Sequence, residues 1–221
     1  MYLSKLVLNL KNARARADLE NPYEMHSTLC WLFENPKKER FLWRLEEGTR
    51  HDPPYVLLQS RTEPAWTRML GREGWEDYLI EKDHKSYTLI SRLNSGRVYR
   101  FRLRANPTVT KFDEKSGKSK RRGIAKENEQ IAWLERQGVK GGFELLHHDA
   151  DDGVRIPSVH VLDSRVWKVS KRQTQSHMIL RVVLYQGHLR ITNTTEFIRL
   201  LESGVGHSKA LGLGLLSIAR G

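Results

Sequence analysis

The spacing of apolar and polar positions changes several times along the chain. Tyr2 to Leu10 alternate in part, which predicts a strand. Asn21-Pro22 then opens a helix. Asn caps a first turn well, Pro suits its first position, and Glu24 follows Asn21 by three as in a capping box. Pro36 is the expected stop. Phe41–Glu46 and Tyr55–Ser60 read as strands around a loop holding Gly48, Pro53 and Pro54. A short helix is expected after Pro64, and further strands within 76–92. The order is β-α-β-β-α-β over about 90 residues, a split βαβ pattern of ferredoxin-like type.

The same order returns in the second half. Arg97–Ala105 is a strand with Tyr99, Phe101, Leu103 and Ala105 on one face and Arg100, Arg102 and Arg104 on the other. Glu127–Gln137 reads as a helix ended by Gly138. Phe143–His147, Val159–Val169 and His177–Tyr185 read as strands, Thr194–Glu202 as a helix, and Leu211–Ala219 as a final strand. The expected fold class is α+β, two tandem ferredoxin-like (RRM-like, βαββαβ) domains. Their spans are 1–94 and 95–221, with the boundary near Asn94–Gly96. The halves share no sequence repeat.

The interval Lys111–Lys126 fits neither pattern. It carries Lys111, Lys115, Lys118, Lys120, Arg121, Arg122 and Lys126 against two acids, with Gly117 and Gly123. It reads as a mobile loop that orders on a partner, or as a solvated loop with none.

Composition narrows the function. The 221 residues include 38 Lys and Arg against 26 Asp and Glu, a net charge of +12. The excess is uneven: residues 1–100 carry +3 and residues 101–221 carry +9. A basic half-chain points first to a polyanion such as nucleic acid. The lone cysteine, Cys30, excludes an intrachain disulfide and a multi-cysteine metal cluster, and suits a reducing cytoplasm. No apolar run approaches the ~18 residues of a membrane span, and the first ten residues lack a signal-peptide pattern. A cytoplasmic protein with no membrane partner is expected.

Two constellations carry chemistry. In the first helix Met25, Leu29, Leu32 and Phe33 form a core stripe, while Tyr23, His26 and Cys30 fall about 100° round from it. A histidine and a phenol on one flank of a first helical turn suit RNA cleavage without a metal. The ribose 2′-OH attacks phosphorus, and base and acid catalysis each contribute about 10²–10⁴-fold. The alternative is a pair of ordinary boundary residues. The second constellation runs from Gly204 to Gly214, with Gly206, Lys209 and Gly212 between. It suits close backbone approach to phosphate, or a helix cap followed by close packing. It is neither a Walker loop nor a dinucleotide fingerprint. His147, His148, Asp149, Asp151 and Asp152 allow a metal reading, but adjacent strand residues point apart, and a solvated turn is preferred. His51, His84, His160, His177 and His188 have no companions that single them out. Trp31, Trp43 and Trp133 lie in apolar patterns and are expected in the core.

Met1-Tyr-Leu-Ser-Lys5, Asn21-Pro-Tyr-Glu-Met-His26, Val56-Leu-Leu-Gln-Ser60, Phe101-Arg-Leu-Arg-Ala-Asn-Pro107, Glu129-Gln-Ile-Ala-Trp-Leu134 and the closing glycine-rich segment together resemble the CRISPR-associated endoribonuclease CasE family. The matches keep their order over nearly the whole chain. The resemblance implies tandem ferredoxin-like domains and metal-independent cleavage of CRISPR precursor RNA at the base of the repeat hairpin. It implies products with a 2′,3′-cyclic (or 3′) phosphate and a 5′-OH. It implies retention of the mature crRNA within Cascade beside other Cascade subunits, with no cofactor and no metal. Tyr23 and His26 match the family's catalytic pair, with His26 in proton transfer, as acid to the 5′-oxygen or otherwise, and Tyr23 orienting the 2′-OH or the phosphate; sequence leaves their division of labour open. Gly204, Gly206, Gly212, Gly214 and Lys209 match its RNA-contacting loop, and Lys5 fits its opening. Arg100, Arg102, Arg104, Lys115, Lys118, Lys120, Arg121 and Arg122 suit the hairpin's phosphates by charge. The competing expectation is a non-catalytic subunit that binds an RNA hairpin.

Overall fold

The structure is a computed structural model. It describes residues 1–86, 93–114, 117–149, 153–170 and 177–220, without the side chains of 81–86. It is a mixed α+β protein with several antiparallel sheets and few helices, in two compact units. Unit 1 takes residues 1–92, 169–177 and 208–215, and unit 2 takes 93–168, 178–207 and 216–221. Among the described residues no helix is long and apolar enough to cross a membrane.

Unit 1 opens with β1 (Tyr2–Leu8), α1 (Ala13–Glu20) and α2 (Pro22–Cys30). It continues with β2 (Leu42–Glu46), β3 (Tyr55–Ser60), α3 (Trp66–Leu70) and β4 (Leu79–Ser86). The strands form one antiparallel sheet in the order β2-β3-β1-β4. Leu6 and Leu8 of β1 and Val56 and Leu58 of β3 share one core with Met25, Leu29, Leu32 and Phe33. The expected stripe is therefore the buried face. The helix itself ends at Cys30, before Pro36. From Trp31 the bonds tighten to i→i−3, with Trp31 N donating to Thr28 O, Leu32 N to Leu29 O and Phe33 N to Cys30 O at 3.1–3.2 Å. Such a last turn keeps Leu32 and Phe33 inward while the α-helical ladder stops.

The sequence pattern did not predict α1. Its stretch Ala-Arg-Ala-Arg-Ala-Asp-Leu-Glu has no apolar stripe, and a side-chain cap supports it instead. Asn12 Oδ1 accepts from Ala15 N at 3.0 Å. The helix also buries Asp18, which accepts from the Tyr78 hydroxyl at 2.9 Å and pairs with Arg14 at 3.1 Å.

Unit 2 contains β5 (Val98–Ala105), β6 (Thr108–Asp113), β7 (Lys118–Gly123), α4 (Glu127–Lys140) and β8 (Phe143–Leu145). It goes on with β9 (His147–Asp149), β10 (Arg155–Pro157), β11 (Val159–Ser170), β12 (His177–Ile191), α5 (Thr194–Ser203) and β13 (Leu216–Arg220). The main sheet has the order β11-β12-β5-β13, with β8 also paired to β12 and β9–β10 as a separate ribbon. Phe101 of β5 lies opposite Gly187 of β12 and Ile218 of β13.

Three expectations change in unit 2. The basic interval is an antiparallel hairpin, β6–β7, with Lys111 opposite Lys120 and Val109 opposite Arg122, where a mobile loop was expected. The helix α4 runs through Gly138 to Lys140. A Cβ at Gly138 would stand 2.6 Å from the Phe143 carbonyl oxygen, so this glycine serves close packing and the cap falls at Gly141. The last strand starts at Leu216, five residues later than expected, because Lys209–Leu211 close a 3₁₀ turn and the Leu215 carbonyl accepts from Arg44 of β2.

Candidate functional site

Asn21 sets the start of α2: its Oδ1 accepts from Tyr23 N at 3.0 Å, and Pro22 follows as the first helical residue. Tyr23 and His26 are both half-buried on the flank beside the core stripe. The His26 ring stacks on Phe41, with centroids 5.0 Å apart and planes at 25°. Phe41 in turn stacks on Phe33 at 5.1 Å. Cys30 Sγ lies 3.9 Å from His26 Nε2, while Nδ1 is buried with no hydrogen-bond partner among the described residues. Burial holds the imidazole below its ordinary value near 6.5, and pushes the Cys30 thiol up. At neutral pH this histidine is therefore uncharged, the form able to accept a proton.

The second constellation meets the first within unit 1. Lys209–Leu211 form a single 3₁₀ turn that packs against α2 and β2. Trp43 Nε1 of β2 donates to Ala210 O at 3.3 Å, and Arg44 Nη1 donates to Leu215 O at 3.0 Å. Gly212 has φ +76°, and a Cβ there would stand 2.7 Å from the Trp43 ring. Ser208, directly before the turn, has φ +63°, the left-handed region that non-glycine residues rarely adopt. Lys209 is lowered from the ordinary lysine value, first by burial and then by the charge of Arg40.

The other glycines of the segment have local reasons. Gly204 ends α5 at φ +75°, and Gly206 at φ +76° lies against the Trp133 ring in unit 2. Gly214 has φ +90°. Lys5 is exposed on β1, its Nζ over the Tyr55 ring at 4.9 Å. It alternates away from Leu6 and Leu8, which share a core with α2, so the structure does not bring it to Tyr23 and His26.

Among the basic candidates of unit 2, Arg100 is exposed, Arg102 is half-buried and Arg104 is only 3% exposed. A side chain so enclosed is not available to an external phosphate, and Arg104 leaves that role. Arg100 and Arg102 line a groove of about 480 Å³ with His160, His188, Gln186 and Ser217. Arg102 Nη1 donates to Gln186 Oε1 at 3.1 Å, and Ser158 Oγ lies 3.0 Å from His188 Nδ1. Lys118, Lys120, Arg121 and Arg122 are exposed on β7, where Asp113 pairs with Lys120 at 2.9 Å and Arg122 at 3.5 Å. Lys115 lies outside the described residues.

Of the metal candidates, His147 places Nδ1 3.0 Å from Leu145 O and Nε2 3.4 Å from Glu135, while Asp151 and Asp152 lie outside the described residues. Trp43 and Trp133 are buried, but Trp31 is 40% exposed, with the Arg72 guanidinium 3.7 Å over its ring. Sequence reasoning passed over Phe41 as an ordinary strand residue and gave His160 and His188 no companions. Ring stacking and cross-strand register bring these groups together, and no short motif signals either.

The whole chain also has close relatives. It is 38% identical over 226 residues to the CRISPR-associated endoribonuclease Cse3 of Thermus thermophilus, covering 99% of this chain and all of that protein. It is 31% identical over 228 residues to the CRISPR system Cascade subunit CasE of Escherichia coli, covering 99% of each. The structure of Thermus thermophilus Cse3 bound to an RNA representing a pre-cleavage complex superposes with a TM-score of 0.80 at 38% identity, over 99% of this chain and 98% of that one. The family model described as CRISPR associated protein matches residues 1–220. Agreement along the full length, in sequence and in fold, places the chain in the CRISPR-associated protein family.

Proposed function

We propose that this protein is a metal-independent endoribonuclease that cuts CRISPR precursor RNA at the base of the repeat hairpin, keeps the mature crRNA and serves as a cytoplasmic Cascade subunit. The observation that carries the reading is the placement of His26 on α2, stacked on Phe41 and sharing a helix flank with Tyr23, with the Lys209 turn packed against the same helix. The relatives named above, an endoribonuclease and a Cascade subunit, support it.

Neutral His26 takes the proton of the ribose 2′-hydroxyl as the O2′–P bond forms. The P–O5′ bond breaks in line, and the Tyr23 phenol, three residues earlier on the same flank, donates a proton to the departing 5′-oxygen. Proton return from His26 to Tyr23 restores the site. The ends left are a 2′,3′-cyclic phosphate and a 5′-OH. Lys209 neutralises charge that develops on the phosphoryl oxygens. The β6–β7 hairpin and the Arg100–Arg102 groove supply affinity for phosphates. RNA duplexes present a deep, narrow major groove, so shape and backbone charge dominate such binding.

We infer also that the chain consists of two ferredoxin-like domains, 1–94 and 95–221, the second contributing the segment 208–215 to unit 1. In each unit the strands stand in the order second, third, first, fourth of a βαββαβ pattern, with the β6–β7 hairpin, β8 and the β9–β10 ribbon added in unit 2. That shared order supports the reading.

The test is cleavage of repeat RNA in EDTA, with a second substrate carrying 2′-deoxyribose before the cut. Cleavage of the first only, with a cyclic phosphate product, is expected. Cleavage of both excludes 2′-OH attack. Tight binding with no cleavage of either identifies a non-catalytic hairpin-binding subunit.

A further inference from the structure

Resting on the ribonuclease reading, we propose that Arg40 is a second cation of the phosphate seat, paired with Lys209 to grip the phosphodiester that is cut.

Arg40 stands two residues before β2, at the point where the chain serves both halves of the site. Its neighbour Phe41 stacks on His26 of α2. Three residues on, Trp43 donates its indole N–H to Ala210 O, in the turn that begins at Lys209. The segment 40–43 thus ties the histidine to the lysine, and Arg40 heads it. Arg40 is itself exposed, free to turn toward a ligand.

Charge points the same way. Among the described residues neither Arg40 nor Lys209 has a carboxylate within salt-bridge distance. The two still repel, since Arg40 lowers Lys209. Nearby Glu39 forms no salt bridge with either: its carboxylate is turned to Arg61 N at 2.7 Å and the Thr62 hydroxyl at 2.8 Å. Two cations near enough to repel, neither in a salt bridge among the described residues and one partly desolvated, form a site suited to negative charge. The strained backbone of Ser208 adds a third sign, because such φ values persist where packing holds a functional side chain in place. A guanidinium also suits the phosphate better than a second ammonium, as its planar donors span two oxygens.

The experiment compares the full chain with Arg40→Ala and Arg40→Lys, each checked for an unchanged melting temperature. Two readouts are taken in EDTA: single-turnover cleavage of repeat hairpin RNA, and the salt dependence of binding to the uncleavable 2′-deoxy hairpin. Arg40→Ala is expected to cut about 10²-fold more slowly, the loss seen when one donor to a developing oxyanion is removed. Its log Kd against log salt slope falls by about one. Arg40→Lys recovers the slope and part of the rate. An unchanged rate and slope in Arg40→Ala overturns the proposal. A changed slope with an unchanged rate overturns it too, by placing Arg40 on a phosphate away from the cut. If the unsubstituted protein binds but does not cleave, the ribonuclease reading fails, and the slope still decides whether Arg40 holds a phosphate.

Discussion

His26 stacks on Phe41 with ring centroids 5.0 Å apart and planes at 25°, so the proposed base is held by an aromatic neighbour from outside its own helix. An aromatic pair of this kind is worth about 0.5–1.5 kcal/mol beyond burial. It fixes the plane in which the imidazole presents its nitrogens. Phe41→Leu keeps volume near that of the original and removes the stack. Cleavage is expected to slow by about tenfold, the effect of roughly 1.4 kcal/mol on a barrier. Repeat binding should stay within threefold. The His26 pKa should rise toward 6.5 as water reaches the ring, which a histidine NMR titration measures directly.

The same burial sets the pH profile. His26 is lowered in the folded protein, so its neutral form persists below pH 6.5. The kcat/KM of repeat RNA cleavage should be flat through pH 6.5 and fall only at lower pH, as the imidazole takes up a proton. In Phe41→Leu the acid limb should move to higher pH. Stability follows the same sign. Below pH 6.5 the unfolded chain binds the His26 proton more readily than the folded one. The stability tied to neutral His26 is thus full above pH 6.5 and declines as pH falls through the lowered value. Chemical denaturation at pH 7 and pH 5 checks this against His26→Gln, which lacks the titration.

Gly212 offers a test of the Lys209 turn. At φ +76°, with the Trp43 ring 2.7 Å from an added Cβ, alanine must push the tryptophan or the turn aside. Gly212→Ala should lower cleavage by 10-fold or more and the melting temperature by several degrees. Gly117→Ala, at a positive φ but in open space, should leave cleavage unchanged. Parallel melting and single-turnover assays separate strain from loss of chemistry.

The β6–β7 hairpin should govern affinity without governing chemistry. Replacing Lys118 and Arg121 with alanine should weaken hairpin binding and reduce the salt slope by about one for each phosphate that the protein no longer neutralises. The cleavage rate at saturating protein should stay within threefold. Asp113 restrains Lys120 and Arg122. Asp113→Asn should therefore tighten binding at low salt.

Tyr78→Phe probes the buried knot under α1. The hydroxyl donates to Asp18 at 2.9 Å inside the core. Its removal leaves a buried carboxylate short of a donor, at a cost of about 1–3 kcal/mol. Urea denaturation should show that loss, and RNA cleavage at 25 °C should be little changed.

Local regularity made much of this protein legible without a fold. The helical period put Met25, Leu29, Leu32 and Phe33 on one side and Tyr23, His26 and Cys30 on another, and strand alternation buried Tyr99, Phe101 and Leu103. Asn21 and Pro22 marked the start of α2 because capping is a short-range hydrogen-bond requirement. Local rules failed where neighbours in space are far apart in sequence. The amphipathic signal is absent from α1, which depends on the Asn12 cap and the Asp18–Tyr78 contact. Alternation alone put Arg104 with Arg100 and Arg102, and only the packed structure showed it enclosed. The basic interval looked loop-like because cross-strand pairing, and not an apolar face, orders β6 against β7. The bond from Trp43 to Ala210 joins residues 167 positions apart and carries Lys209 into the unit that holds His26. No periodicity encodes such a meeting. The sequence by itself determined which residues could do chemistry and which faces they share. The tertiary structure decided which of them meet, because burial and ring packing act across the fold while propensity acts only along the chain.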